Sequence, residues 1–166
     1  MADLPECPAT SAEDGLIPTE LRAWMLMLAA TGAVEQQLRP LVKETLGVSH
    51  DEFLVLCLLA DRPGGGLRMT RLAELLGRPK TRLTYQIACL QHAGLVTRAS
   101  VCGDKRGIEV TLTEKARQLL RETSGALAET VRRAMTDYMG PEQRSAMGTL
   151  VPEECGEGSV SGAAEA

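Results

Sequence analysis

Hydrophobic residues between positions 67 and 94 repeat at helical spacing in two short segments, which predicts two helices joined by a tight turn. The first segment, 72–76, is followed by Gly77, and the second, 83–90, is followed by Gly94. Glycine adopts positive φ without steric cost, so each of these glycines can end a helix. Two helices joined by a turn of three to four residues are typical of a helix-turn-helix.

Polar residues mark where these two helices begin. Thr70 is predicted to cap the first helix, because its hydroxyl can accept a hydrogen bond from an unpaired N–H of the first turn. Pro79 suits the first turn of the second helix through its fixed φ. Away from its apolar stripe, the start of the second helix is crowded with hydrogen-bonding side chains, namely Lys80, Thr81, Arg82, Thr84, Tyr85 and Gln86.

Two strands follow the helix pair. Residues 95–98 form the first, and residues 108–112 alternate apolar and polar side chains as a half-buried strand does. The turn between them, 101–107, contains Asp104, Lys105 and Arg106 between glycines. The predicted fold class is therefore mainly α (α+β), a winged helix-turn-helix with a two-stranded wing, flanked by long helices.

A long amphipathic helix is predicted before this unit. It begins near Pro18, Pro40 is expected to kink or end it, and Gly47 stops it at the latest. Ser49 and Glu52 form a capping box that opens the next helix, whose residues are nearly all apolar and are expected to be buried on most sides.

A second long helix is predicted after the wing. Thr113 caps it, the Gly-Pro pair at 140–141 breaks it, and a short last helix covers 142–150. The two ends of the chain, 1–16 and 152–166, are predicted to be disordered tails, the second of them acidic and rich in small residues.

The central part of the chain is basic although the whole chain is acidic. Residues 62–117 contain eleven Lys and Arg against four Asp and Glu, a net charge of +7, whereas the whole chain carries −4 and the remainder therefore −11. Phosphate contacts dominate affinity for nucleic acid, so this distribution indicates a DNA-binding surface. Aromatic residues make up only 2% of the chain, which favours a duplex, because unpaired bases are bound by stacking.

The remaining composition bears on compartment and chemistry. No run of 18 apolar residues occurs and the N-terminus is acidic, so neither a membrane span nor a signal peptide is predicted, and the protein is expected in the cytoplasm. Five cysteines without a CxxC pair argue against disulfides, and two histidines argue against a zinc site. No phosphate-binding loop, nucleophile motif or metal-spaced carboxylate pair is present, so no enzyme activity, metal or cofactor is predicted.

The apolar stripes of the two long helices are too extensive to be buried against the compact central unit alone. A second copy of the chain would cover these stripes. In a two-fold dimer, the second helix of each helix-turn-helix, called the recognition helix, would lie about one duplex turn from its counterpart. The single predicted domain, 17–151, accordingly divides into dimerisation helices (17–47 and 113–151), a core helix (49–61) and a DNA-reading unit (67–112).

The chain resembles the MarR (multiple antibiotic resistance regulator) family of bacterial transcription factors in two segments, MTRLAELLGRPKTRLTYQIACLQHAGLVTR and DKRGIEVTLTEKA. The family pattern is LAxxLG, seventeen residues to GLVxR, an Asp-x-Arg wing and a strand ending in LTxxG. Ala116 replaces the last glycine here, and Pro79 stands where the family commonly has a serine. The missing hydroxyl can no longer cap the helix or hold a phosphate, which is expected to weaken or retarget the DNA contact at this point. With the long helices, the resemblance covers roughly residues 18–150.

The resemblance implies a homodimer that binds a palindromic promoter site in double-stranded DNA, usually as a repressor, and that leaves the DNA when a small-molecule effector binds. Arg106 would enter the minor groove, with Asp104 bracing it by a charge-assisted hydrogen bond. The residues facing the major groove would be Lys80, Thr81, Arg82, Thr84, Tyr85 and Gln86. Thr70, Arg98 and Lys105 complete the predicted DNA-binding set, although Arg98 also fits a surface strand residue and Tyr85 also fits packing under the apolar stripe.

Three residues of the first helix have two interpretations. Trp24, Met25 and Leu28 suit core packing, and they also suit the lining of a ligand cavity between this helix and the DNA-reading unit. Such a cavity would be largely aliphatic and adaptable.

Two functional alternatives stay open. Cys102 beside the wing cations and Cys89 on the second helix suit a thiol-oxidation switch. The peroxide-sensing branch of the family has its reactive cysteine near the start of the first long helix, where this chain has Trp24 and Met25. A winged helix can also serve as a protein-interaction module without specific DNA binding.

Overall fold

A computed structural model describes residues 16–101 and 104–148, with side chains described for all of these except 101, 104–106 and 147. The elements in chain order are α1 (Thr19–Leu46), α2 (His50–Ala60), β1 (Gly66–Arg68), α3 (Met69–Leu76), α4 (Lys80–His92), β2 (Val96–Val101), β3 (Asp104–Leu112), α5 (Glu114–Thr136) and α6 (Pro141–Gly148). This order confirms the predicted fold class, a mainly α winged helix-turn-helix between long helices. The predicted disordered tails, apart from Leu16, and Cys102 lie outside the described residues.

The first helix begins and ends where the sequence predicts, but Pro40 does not end it. Pro18 precedes the first turn of α1, and Gly47 follows the last turn with φ 71° while its N–H donates to the Lys43 carbonyl. Pro40 lies inside α1, where it removes one backbone donor, and the helix continues past it for six residues to Leu46.

The predicted capping box of α2 is confirmed. Glu52 Oε2 accepts from the Ser49 backbone N–H at 2.8 Å, and Ser49 Oγ accepts from the Glu52 N–H at 3.3 Å. The apolar residues that follow pack into the core, with Phe53, Val55 and Leu59 buried. α2 therefore forms the centre of the domain.

The start of α3 corrects one prediction. The helix begins at Met69, and Thr70 lies exposed within its first turn, so the Thr70 hydroxyl does not cap it. The reason is that the chain enters α3 directly from β1, whose pairing with β3 holds Arg68 in an extended conformation. α4 begins at Lys80, so Pro79 immediately precedes the helix instead of occupying its first turn.

The sheet contains one strand that the sequence pattern did not predict. The strand order is β1-β3-β2 and both pairings are antiparallel, with Leu67 and Arg98 opposite Val110 on its two sides. β1 has only three residues, too few to show alternation. The wing strands also extend further than predicted, so the 104–106 segment lies at the start of β3 and not in a turn.

The reading unit and the long helices share one core. Leu72 of α3, Leu83 and Ile87 of α4, and Val110 of β3 are fully buried together with Val42 of α1. Thr113 caps α5 as predicted, accepting from the Ala116 N–H at 3.2 Å. Its hydroxyl also donates to the Gly94 carbonyl at 2.8 Å, and α5 packs along α1.

No helix within the described ranges is long and apolar enough to cross a membrane.

Candidate nucleic-acid interface

The orientation of α4 follows from its buried residues. Leu83, Ile87 and Leu90 point into the core, and successive residues of a helix are about 100° apart. The exposed residues Thr81 and Thr84 therefore lie on the outward face, together with Tyr85 and Ala88. Lys80 and Arg82 lie on the two flanks of that face.

Gln86 does not belong to the outward face, which corrects its predicted role as a base-reading residue. Its side chain is only 5% exposed, and its Oε1 atom has no hydrogen-bond partner among the described residues. Gln86 lies three residues after Leu83 and four before Leu90, so it falls within the buried stripe. That spacing was visible in the sequence, but its polar side chain suggested an outward position.

Tyr85 lies on the outward face, and the alternative of packing under the stripe is wrong. Its side chain is 71% exposed. A side-chain hydrogen bond with Cys89, one turn along α4, and the negative charge of Cys89 in its thiolate form raise the pKa of Tyr85. The phenolic hydroxyl can donate a hydrogen bond to a ligand and can also accept one from it.

A basic cleft of about 400 Å³ lies between α3, α4 and the sheet. Four predicted residues from three elements line it, namely Thr70 of α3, Lys80 and Thr84 of α4, and Arg98 of β2, together with Arg68, Met69, Gly107 and Ile108. Three cations thus converge on one concavity. Sequence reasoning missed Arg68 as a site residue, because β1, which positions it, was not predicted.

Arg82 lies on the other flank of α4 and pairs with the second helix. Its Nη2 atom is 2.5 Å from Asp51 Oδ2, and Arg78 Nη2 is 2.6 Å from Asp51 Oδ1. Burial opposes ionisation of Asp51, but hydrogen bonds from Arg78 and Arg82 outweigh it and hold the pKa of this carboxyl below its ordinary value. Sequence reasoning missed Asp51 and Arg78 as partners of the recognition helix.

At the wing, residues 101 and 104–106 are described only by their backbone, and residues 102–103 lie outside the described part of the chain. Val101 pairs with Asp104 across the two strands after a break in register. The side chains of Asp104, Lys105 and Arg106 lie outside the described part of the chain, so the minor-groove contact and its brace stay predictions.

Neither predicted interpretation of Trp24, Met25 and Leu28 holds in the single protomer. Each is about half exposed, so they neither pack in the core nor enclose a cavity against the reading unit. The buried residues of α1 all lie from Ala30 onward, where this helix packs against the rest of the chain. The first turns of α1 therefore carry an uncovered apolar surface.

Two cysteines, Cys57 and Cys89, lie within the described ranges, and both are free. Burial raises the pKa of Cys57 to about 11, so its thiol stays protonated at neutral pH. Cys89 is partly buried on α4 beside Tyr85. Cys102, the other predicted redox residue, lies outside the described residues.

Solved structures similar to this chain share its fold over most of its length. Neither a family model nor a curated protein sequence matches it. Sco3205, a MarR family transcriptional regulator from Streptomyces coelicolor solved in complex with DNA, is 30% identical, with a TM-score of 0.67 over 84% of this chain and 88% of that chain. AbsC, another MarR family regulator from the same organism, is 28% identical, with a TM-score of 0.66 over 82% and 91% of the two chains.

The apo form of MarR from E. coli, at 20% identity and a TM-score of 0.64 over 82% of this chain and 96% of that chain, supports the fold alone. The first of these relatives shares both fold and sequence with this chain over most of the length of each. With its recognition helix, its wing and its long flanking helices, the chain belongs to the MarR family of transcriptional regulators and has their DNA-binding winged-helix fold.

Proposed function

We propose that the protein is a homodimeric repressor that binds a palindromic operator in double-stranded DNA and leaves it when a small-molecule effector binds. The observation that carries the DNA-binding part is the convergence of Arg68, Lys80 and Arg98 on the cleft beside the recognition helix. A concave surface with three cations complements a phosphate backbone. The similar protein Sco3205 was solved in complex with DNA.

The outward face of α4 supplies the base-reading groups in this proposal. Thr81, Thr84 and Tyr85 face the major groove, and Arg82 reaches it from the flank. Thr84 Oγ1 donates to the Lys80 carbonyl at 2.8 Å, so its lone pairs stay available as acceptors for a base or a water molecule. The neighbouring cations hold phosphates and fix the orientation of the helix.

The wing extends the contact to the minor groove. β2 and β3 pair from Val96 opposite Leu112 to Val101 opposite Asp104, and Arg106 follows Asp104 by two residues in the sequence. We place Arg106 in the minor groove, where the narrow A·T tracts attract a guanidinium. Asp104 would brace it, and Lys105 would contact the flanking phosphate.

The uncovered surface at the start of the chain supports a dimer. Eight large apolar residues there are at least 40% exposed, namely Leu16, Ile17, Leu21, Trp24, Met25, Leu26, Met27 and Leu28. So much exposed apolar surface in one short segment marks an interaction surface. A second copy of the chain would cover it by two-fold symmetry and bring the two α4 helices about 34–36 Å apart, one duplex turn.

Effector release follows from the same arrangement. A cavity bounded by Trp24, Met25 and Leu28 would be completed only by the partner, so a ligand bound there would alter the distance between the two recognition helices. Because both helices must match successive major grooves, a change in their separation weakens operator binding. The effector would be largely apolar, as the apolar side chains of Trp24, Met25 and Leu28 require.

The test uses the full-length protein and two duplexes of equal length, one from the region upstream of its own gene and one of random sequence. We expect the upstream duplex to bind at least about 10³-fold more tightly. Its footprint is expected to have two halves centred about 10 base pairs apart. Equal and weak binding to both duplexes would contradict an operator in this region. A reporter driven by the upstream region, with and without the protein, separates repression from activation.

A further inference from the structure

We infer that Asp51 is a positioning residue that raises the sequence specificity of DNA binding by holding the Arg82 guanidinium at the edge of the recognition helix. The inference rests on the proposed function, in which α4 enters the major groove. Asp51 itself lies in the first turn of α2 and makes no proposed contact with DNA.

The geometry joins three parts of the chain through one carboxylate. Oδ1 of Asp51 accepts from Arg78, in the turn before α4, and Oδ2 accepts from Arg82, in the first turn of α4. Each oxygen therefore accepts one guanidinium hydrogen bond, at 2.6 Å from Arg78 Nη2 and at 2.5 Å from Arg82 Nη2. The carboxylate fixes the recognition helix to α2 at the end that approaches DNA.

The two arginines differ in exposure, and the difference assigns their roles. The Arg78 side chain is 20% exposed, and its Nη1 atom is buried without a partner in the described part of the chain. We therefore assign Arg78 a structural role inside the protein and no contact with DNA. The Arg82 side chain is 61% exposed. A guanidinium carries five N–H donors in one plane, so Arg82 can keep its bond to Asp51 and offer other donors to a base.

The bond from Asp51 to Arg82 is expected to change the affinity for the operator and the affinity for DNA of any other sequence in opposite directions. A guanidinium held in one orientation loses less side-chain entropy on binding a correctly placed base, and it cannot swing freely to a phosphate of any sequence. The negative charge of Asp51 beside the interface also opposes non-specific association with the backbone. Both effects increase the ratio of specific to non-specific affinity.

The experiment compares Asp51→Asn with the wild-type full-length protein on the upstream and random duplexes across salt concentrations. We expect the random duplex to bind about 3–10-fold more tightly, with a salt slope steeper by about one, because Arg82 becomes free to neutralise a phosphate. We expect the upstream duplex to bind more weakly, so that the specificity ratio falls at least about tenfold.

Glu74→Gln is the matched control. Glu74 pairs with Arg71 on α3 at 3.1 Å and is exposed, so this change also removes one carboxylate from the basic region but frees no residue of α4. It is expected to change both affinities by the same factor and to leave the ratio unaltered. A ratio that also stays unaltered in Asp51→Asn would overturn the inference.

A second variant keeps the inference testable if Asp51→Asn does not fold. Arg82→Lys leaves the Arg78–Asp51 pair in place and retains the positive charge but loses the planar fork. We expect the specificity ratio to fall while affinity for the random duplex is kept, and an unchanged ratio would overturn the inference. If Arg82→Ala also left both affinities at their wild-type values, the proposed position of α4 in the groove would fail instead.

Discussion

The guanidinium of Arg117 occupies the space that a side chain at position 65 would need. A Cβ added to Gly65 would lie 2.9 Å from Arg117 Nη2, and that atom donates a 2.9 Å hydrogen bond to the Gly64 carbonyl. Gly65 is buried and has φ +68°. The start of α5 is thereby tied to the turn that leads into β1, the strand that the sequence pattern did not reveal.

Gly65→Ala is expected to destabilise the protein by about 2–3 kcal/mol. Positive φ costs an alanine about 1–2 kcal/mol, and displacement of Arg117 loses a hydrogen bond that contributes about 0.5–1.5 kcal/mol. Gly64→Ala is the control, because Gly64 has φ +81° but its added Cβ would meet nothing within 4 Å among the described residues. Urea unfolding at a fixed protein concentration measures both free energies, and equal losses would contradict the role of Arg117.

Gln86→Leu is expected to stabilise the protein by about 1–3 kcal/mol, because it removes a buried amide oxygen that has no partner among the described residues. Gln91→Leu changes an exposed position of the same helix and is expected to leave stability within about 0.5 kcal/mol of wild type. Thermal and urea unfolding measure the effect. A loss of preference for adenine in the Gln86 variant would show that this side chain turns outwards on DNA.

Arg98→Ala is expected to weaken binding to the upstream and random duplexes by similar factors and to lower the salt slope by about one, because Arg98 lines the basic cleft and we assign it a phosphate. Arg132→Ala removes an exposed cation that pairs with Glu129 on α5. This control is expected to leave the slope unaltered. If the salt slope of DNA binding is unchanged in Arg98→Ala, Arg98 is a surface residue of β2 that contacts no phosphate.

Met25→Glu is expected to convert the protein to monomers at micromolar concentration and to abolish tight binding to the upstream duplex. The new charge would be buried without a partner in the proposed dimer, at a cost of several kcal/mol. Leu75→Glu places a charge at another exposed apolar position, on α3, and is expected to leave the protein dimeric. Sedimentation velocity distinguishes the two, and a wild-type monomer would contradict the paired arrangement of recognition helices.

The Asp51 ion pairs are expected to stabilise the protein only above acidic pH. The pKa of Asp51 is lowered in the folded state, whereas in the unfolded chain it is about 3.9. The contribution is therefore fully present above about pH 5 and is lost as the pH falls through the folded-state value. Asp51→Asn is expected to unfold about 1–2 kcal/mol more easily than wild type at pH 7, between the values for exposed and buried pairs. The difference should shrink as the pH falls below about 4, and a gap that stays constant from pH 7 down to acid unfolding would contradict this origin.

The helix boundaries set by local interactions were predicted well. Gly47 and Gly77 end their helices with positive φ, and the caps at Ser49 and Thr113 form as expected. These signals act within one turn of helix, so a short window of sequence contains all of the partners. Thr70 does not cap α3, because the start of this helix is set by β1, and β1 is held by its pairing with β3, which is distant in the sequence.

The sequence by itself determined the family resemblance, the order of the main helices and wing strands, and the basic centre, because periodicity, capping and charge are properties of neighbouring residues. Only the tertiary structure decided that Arg68 joins the cleft and that Asp51 holds Arg82. The last pair is separated by 31 residues. Such contacts depend on how packed elements face one another in three dimensions, which the spacing of residues along one helix does not specify.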